Sequence, residues 1–412
     1  MERVVITGMG AITPLGNNVE TFWTRLARGD SGISYIDTFD TTHFKVKIAG
    51  IVRDFDADKL FGSKEARRLD RFSQFALAAA DQALIDSGIN LDQIDKERLG
   101  VYVGSGIGGI QTLIDQHQLL NDRGPDRVSP TLVPMMISNM AAALISIKLG
   151  ALGSSLSPVT ACSIGNTAIG EAFYQIQAGR ADVLFAGGSD AAVTEISLAS
   201  FTKATALSTR NDEPEKASRP FDAGRDGFVM AEGSGILVLE SLSHALRRKA
   251  RIYAEVIGYG ASSDAYHMVA THPEGHGAYR AMKLALKEAS IEPNQVDVIS
   301  AHATSTEVGD KSETAAIKKL FGQDAYRIPV TANKSMTGHM FGAAGGVEAI
   351  ALVKSLQTGI IPPTINQQEQ EAECDLDYVP NVARTADLTI GMSNSFGFGG
   401  HNAVIVLKKY SE

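Results

Sequence analysis

The chain has 412 residues, 44% of them hydrophobic and 21% charged, with a formal net charge of −9 at pH 7. That length predicts two domains or a duplicated fold, and the acidic balance argues against general nucleic-acid binding. Two distant cysteines, Cys162 and Cys374, exclude a disulfide framework, and no apolar run of about 18 residues offers a membrane span, so a reducing, cytoplasmic setting is expected.

Residues 1–7 enter directly into a strand, without the basic and apolar segments of a secretion signal. Strand-like runs recur at 3–7, 101–103, 183–186, 236–239, 254–259, 296–300, 388–392 and 403–407. Helical spacing predicts helices over 72–87, 132–149, 163–178, 279–289, 312–320 and 347–356. The alternation reads as a layered α/β fold.

In chain order, the first charged feature is Lys64-Glu-Ala-Arg67-Arg68-Leu-Asp-Arg71. On one helix, Lys64, Arg67, Arg68 and Arg71 share a face, a basic patch on an acidic protein. A solvated helix face is the ordinary explanation. A docking point for an acidic partner is the sharper one, because screening beyond about 8 Å lets a local patch act against the overall sign. Gly104-Ser-Gly106-Ile-Gly-Gly109 then follows a strand with the G-x-G-x-x-G spacing of dinucleotide sites. The acid expected about 20 residues further on falls at Asp122, in a loop-like stretch, and no second nucleotide feature supports it.

Val159 and Thr160 suit a short strand and residues 163–178 a helix, which sets Cys162 on the turn between them. Unpaired N–H groups at a helix start favour thiolate, but by roughly 0.3–1 kcal/mol, less than one pKa unit. A nucleophile therefore needs histidines or oxyanion donors nearby, and this stretch alone leaves a buried structural cysteine equally open. Residues 210–226, of mixed charge, read as a surface loop. His267, His272 and His276 lack the spacing of one helix face and any accompanying thiolate, with only Asp264 in support. A pocket loop fits them better than a metal site.

Self-comparison aligns Ala83-Leu-Ile-Asp-Ser-Gly-Ile89 through Asp95 without gaps against Ala285-Leu-Lys-Glu-Ala-Ser-Ile291 through Asp297. A weaker register sets Gly165…Gly179 against Gly345…Gly359, pairing the helix after Cys162 with the helix after His339. Two similar halves are expected, 1–250 carrying the thiol and 251–412 the histidines, with their loops converging on one site. Three stretches are more polar than packing requires: Ser300-Ala-His302-Ala-Thr304-Ser-Thr306, Asn333-Lys334-Ser-Met-Thr337-Gly-His339, and Asn394-Ser-Phe396-Gly-Phe398-Gly-Gly400-His401-Asn402. A thiol with two imidazoles suits acyl transfer, the thiol holding an acyl group and imidazole N–H groups steadying an enolate oxygen.

With Ala217-Ser-Arg-Pro-Phe-Asp222, Arg225-Asp-Gly-Phe-Val229 and Pro362-Pro-Thr-Ile-Asn366 added, the sequence resembles the β-ketoacyl-acyl-carrier-protein synthases over essentially its whole length. These are condensing enzymes of the thiolase-like superfamily, and the elongating type II form fits best. The resemblance implies an α-β-α-β-α fold of two duplicated halves and a homodimer without a cofactor. It implies Cys162 as nucleophile, His302 and His339 as donors to the malonyl carbonyl, and Lys334 as their support. Cys162 and Phe398 would supply the oxyanion N–H groups, with Phe398 also a gate and Ile107, Thr304, Thr306, Phe396 and Phe398 lining the pocket. Lys64, Arg67, Arg68, Arg71 and Lys203 would receive an acidic acyl carrier protein. Glu348 would help hold a structural monovalent cation, or else be a surface glutamate. Ala303, Val269 and Thr205 depart from the pattern, standing where a glycine, a threonine and a carrier-contacting arginine are usual. A specialised polyketide ketosynthase and a non-catalytic, carrier-binding chain-length paralogue are the alternatives. A degradative thiolase would need a second cysteine in a Cys-x-Gly setting, which Cys374 lacks, and an initiating synthase would carry asparagine in place of His339.

Overall fold

A computed structural model describes residues 1–411. Ten strands form the main sheet. They are β1 (Val4–Ile12), β2 (Leu99–Gly104), β3 (Ser155–Leu156), β4 (Val183–Asp190), β5 (Gly233–Ser241), β6 (Ala254–Ser263), β7 (Val298–Ser300), β8 (Val330–Thr331), β9 (Ile390–Gly397) and β10 (His401–Lys409). Their order is β8-β7-β9-β10-β6-β1-β5-β4-β2-β3. At the centre β1 and β6 run antiparallel over a short stretch, Val4 opposite Val256 and Ile6 opposite Ala254. Outward from that seam each side repeats one pattern: two antiparallel pairings, then two parallel ones.

The principal helices are α1 (Val19–Arg28), α2 (Arg71–Ser87), α3 (Ile110–Arg123), α4 (Met140–Leu149), α5 (Ile164–Gln177), α6 (Glu195–Lys203), α7 (His276–Ala289), α8 (Glu307–Phe321) and α9 (Ala344–Thr358). Helices α5 and α9 are buried almost throughout and share one apolar cluster with residues of β1, β4, β5 and β10. Helices α2 and α4 pack on the outer face of one side, and α7 and α8 on the outer face of the other. The result is the layered α-β-α-β-α arrangement. A helix buried on all sides must be apolar or small all round, and the small residues of α5 and α9 answer that demand. Where the two helices meet, a Cβ on Gly165 would come within 2.3 Å of the Gly346 nitrogen and 2.7 Å of the Gly345 Cα.

Four expectations are corrected. The helix expected over 132–149 is broken into Leu132–Met136 and α4, because Ile137 turns extended and the Met136 carbonyl accepts from Gly109 N–H instead. The strand before Cys162 lies at β3 rather than at Val159 and Thr160, since Pro158 has no N–H for the ladder. Residues 210–226 are not simply a surface loop. Arg219 pairs with Asp222 at 3.4 Å and Arg225 with Asp310 at 3.5 Å, all four buried. Lys64 and Arg71 do not share a helix. Buried Asp70 ends one turn and caps α2 by accepting from Phe72 N–H, and Arg71 turns inward to Glu232 at 2.7 Å. Among the described residues, no helix is long and apolar enough to cross a membrane.

Replacing Gly165 with alanine forces backbone apart at the α5–α9 crossing. Urea unfolding of Gly165→Ala is expected to show a loss of about 1–3 kcal/mol or more. Gly88→Ala, where a Cβ meets nothing within 4 Å and the backbone is left-handed at φ 63°, ψ 20°, is expected to cost only that left-handed strain, about 1 kcal/mol.

Candidate active site

Cys162 sits in a 3-10 turn (Ala161–Ser163) that feeds α5, preceded by Ala161 at a left-handed φ of 51°. Cys162 is 8% exposed, and the backbone N–H groups of Phe398 and of Cys162 itself favour the thiolate slightly. His339 follows the short helix Lys334–Thr337 and is clamped by backbone: its N–H donates to the Val229 carbonyl at 2.7 Å, and its carbonyl accepts from Ala231 N–H at 2.8 Å. That clamp leaves its Nε2 at 3.0 Å from the Cys162 sulfur. His302 stands just past β7, its ring perpendicular to that of His339 with centroids 5.5 Å apart. Its loop is held from beneath by Glu313, which accepts from His302 N–H at 2.9 Å, Ala303 N–H at 2.8 Å and the Asn394 amide at 2.9 Å.

Burial dominates the electrostatics here. It pushes the Cys162 thiol up to about 12, with Lys334 pulling down and Asp190 pushing up. The helix-start effect is thus outweighed by desolvation, contrary to a sequence-level bias toward thiolate. Burial, then the charge of Lys334, holds both imidazoles well below the usual histidine range, so they are neutral at physiological pH. Lys334 is itself buried, its ammonium 2.5 Å from Oε1 of Glu348. Glu348 is therefore no surface residue. Among the described residues, its Oε2 is without a partner, as is Oδ1 of Asn333.

The thiol and both rings open on a cavity of about 320 Å³, the size of a small-ligand site. Ile107, Thr304, Thr306, Phe396 and Phe398 line it, and so do Ala303 and Val269. Lys64, Arg67, Arg68 and Lys203 are exposed outside it, whereas Arg71 is tied to Glu232 and leaves the patch. Thr205 is exposed at a φ of 55°. Cys374 is buried 3.8 Å from the Thr314 hydroxyl, in a different apolar cluster from Cys162. His272 and His276 stack at 4.3 Å, and among the described residues no group of three or more His, Cys, Asp or Glu could hold a metal ion. The N–H groups of Gly106 and Ile107 are taken by the Asp190 carboxylate, and Asp122 lies on helix α3 rather than in a loop, so a nucleotide reading of that loop finds no support. Glu313, Asp190 and Glu232 escaped sequence reading, because an isolated acid in a mixed stretch carries no periodic signal.

A thiol held protonated predicts that iodoacetamide labelling of Cys162 accelerates steadily from pH 7 to 10 without levelling off, as followed by intact-protein mass spectrometry. Free cysteine levels off above about pH 8.5.

Residues 1–245 match the family model "Beta-ketoacyl synthase, N-terminal domain", and residues 253–368 match the corresponding C-terminal domain. A 3-oxoacyl-[acyl-carrier-protein] synthase 2 of Synechocystis sp. is 49% identical over 409 residues, covering 99% of this chain and 98% of the relative. One of Staphylococcus aureus is 50% identical over 409 residues, 99% of each. Among solved structures, a type II PKS ketosynthase in complex with its acyl-carrier protein matches with TM-score 0.92 and 36% identity over 100% of both chains. A beta-ketoacyl synthase from Burkholderia phymatum matches with TM-score 0.92 and 33% identity, also over 100% of both. With family models matching 1–245 and 253–368 and relatives near half identity along nearly its full length, the chain belongs to the beta-ketoacyl synthase family.

Proposed function

We propose that the chain is an elongating β-ketoacyl-acyl-carrier-protein synthase, an acyltransferase that adds two carbons to a carrier-bound acyl chain in fatty-acid synthesis. The observation that carries this reading is one sulfur 3.0 Å from a neutral imidazole, with a second imidazole beside it, all three opening on a single cavity.

In the first step the Cys162 sulfur attacks the acyl thioester carbonyl. A C–S bond forms, the carrier's C–S bond breaks, and the thiol proton passes to the departing carrier thiolate. The N–H groups of Cys162 and Phe398 hold the intermediate oxyanion. In the second, the malonyl thioester loses CO₂. The electrons of the broken C–C bond become an enolate, whose oxygen accepts from the His302 and His339 N–H groups. That role requires neutral rings in a dry site, which is what burial and Lys334 impose. The enolate carbon then attacks the Cys162-bound acyl carbonyl. A C–C bond forms, the C–S bond breaks, and the thiol is restored as its proton returns from solvent. Lys334 adds its charge to the larger effect of burial in keeping both rings neutral, and Phe398, 37% exposed, gates malonyl entry.

The fatty-acid reading is favoured over a polyketide one because relatives named 3-oxoacyl-[acyl-carrier-protein] synthase 2 reach 49–50% identity, against 36% for the polyketide ketosynthase. A non-catalytic paralogue fits poorly with an intact Cys162, His302 and His339. Lys64, Arg67, Arg68 and Lys203 form the carrier-docking face. A homodimer is part of the same reading: β3 leaves an exposed sheet edge, beside which Ile147, Leu152 and Val159 are more than half exposed. We divide the chain into duplicated halves at 1–250 and 251–412 on the repeated strand order, and place it in the cytoplasm. The unpartnered Oε2 of Glu348 suits an oxygen-seeking monovalent cation.

Cys162→Ala is expected to abolish the acyl-enzyme mass adduct and condensation together, and retained condensation would refute the nucleophile. His302→Ala and His339→Ala are each expected to slow malonyl decarboxylation by about 10²–10³-fold, with acyl loading less affected. Reversing the charges of Arg67 and Arg68 is expected to weaken carrier binding in low salt and to lose that effect as salt rises. Unchanged calorimetric affinity would remove the patch from the account.

A further inference from the structure

Asp190 ends β4 and has no part in the chemistry above. It is fully buried, and among the described residues no Lys, Arg or His side chain hydrogen-bonds it, yet four donors converge on it. The Ser105 hydroxyl at 2.6 Å and the Ile107 N–H at 3.2 Å donate to Oδ1. The N–H groups of Gly106 at 3.0 Å and Gly342 at 2.7 Å donate to Oδ2. Ser105, Gly106 and Ile107 form the turn after β2, on one side of the seam. Gly342 lies three residues past His339, on the other.

The two sides of this contact echo each other. Ala161 and Phe341 are both left-handed, at φ 51° and 49°, and each opens a 3-10 turn leading into a buried interior helix. Gly342 thus stands where Cys162 stands in the first copy. At that place the Gly342 N–H donates to the Asp190 carboxylate. The fit leaves no slack: a Cβ on Gly342 would come within 2.7 Å of Oδ2 and 3.1 Å of the Gly106 nitrogen.

We propose that Asp190 is a positioning residue for acyl-chain selection: one buried carboxylate ties the turn carrying the pocket residue Ile107 to the turn that follows His339. Ile107 lines the cavity that receives the acyl group, and its own N–H is one of the four ties. A pocket that separates chains by methylenes has only about 10–200-fold of discrimination to work with. A wall free to shift by part of an ångström forfeits much of it. The carboxylate's charge has a second, separable effect, because it opposes ionisation of the nearby Cys162 thiol.

This inference rests on the proposed acyl transfer at Cys162, and its test separates the two. Wild-type protein, Asp190→Asn and Ser105→Ala are loaded with a ladder of acyl-carriers of increasing even chain length, and acylation rates are read by intact-protein mass spectrometry. The amide of Asp190→Asn offers one acceptor oxygen where two now serve four donors, so the rate ratio between neighbouring chain lengths is expected to fall about tenfold. The rate of iodoacetamide labelling at a fixed pH of about 9 is expected to rise with the lost charge. Ser105→Ala keeps the charge and removes one tie, so it should compress the ladder while leaving the labelling rate at that pH unchanged. If Asp190→Asn does not melt cooperatively by circular dichroism, Ser105→Ala decides alone. A wild-type ladder in Ser105→Ala overturns the proposal, whatever Asp190→Asn does, because it assigns any remaining effect to charge. Failure of the wild-type protein to acylate at Cys162 strikes the enzymatic reading and takes this inference with it.

Discussion

The approach of helices α5 and α9 at their N-terminal ends is the constraint on which the rest of the molecule depends. Gly165 lies against Gly345 and Gly346 with no room for a side chain, so backbone meets backbone between the two sides of the sheet. Each helix begins a few residues after a reactive side chain, Cys162 before α5 and His339 before α9. Crossing the helices at their first turns therefore brings a sulfur and an imidazole from segments 177 residues apart to 3.0 Å. A wider crossing would separate them, and no rotamer of a side chain as short as cysteine could restore the contact.

Desolvation does the rest. The same packing that fixes the geometry strips water from the thiol, both imidazoles, Lys334 and Glu348, and a group out of water prefers its neutral form unless a partner intervenes. The imidazoles have no charged partner and stay neutral. Lys334 pairs with Glu348 at the back of the site, and after burial its charge further biases both rings against protonation. Glu313 holds the His302 loop by its backbone and leaves the ring unencumbered. Asp190 likewise holds main chain, on the Ile107 side of the cavity.

Much was legible in the chain alone. Long apolar periodicities gave every major interior helix to within a few residues, since a helix buried on all sides needs a long uninterrupted run of small and apolar residues. The gapless match between 83–95 and 285–297 announced a repeat, and the observed strand order repeats about the β1–β6 seam. Cys162, His302 and His339 stood out as reactive residue types in small-residue loops, which packing does not demand. Helices α1, α3 and α6 are short or amphipathic among mixed charges; α1 and α6 are capped by Asn18 and Thr194, and α3 buries only Thr112, so no long apolar run marks any of them.

Sequence by itself determined which residues are chemically able to act and that they lie in two similar units. Tertiary structure alone decided their ionisation and their mutual distances. Local helix-start electrostatics favour thiolate at Cys162, and burial reverses that, because the cost of removing charge from water exceeds what one helix end supplies. Arg71 shows the same division. Its spacing from Lys64 and Arg67 suits a shared face, yet a cap at Asp70 breaks the helix and a buried Glu232, 161 residues away, claims the guanidinium. Periodicity reports only near neighbours along the chain, whereas the partner that sets a charge's environment is chosen by the fold.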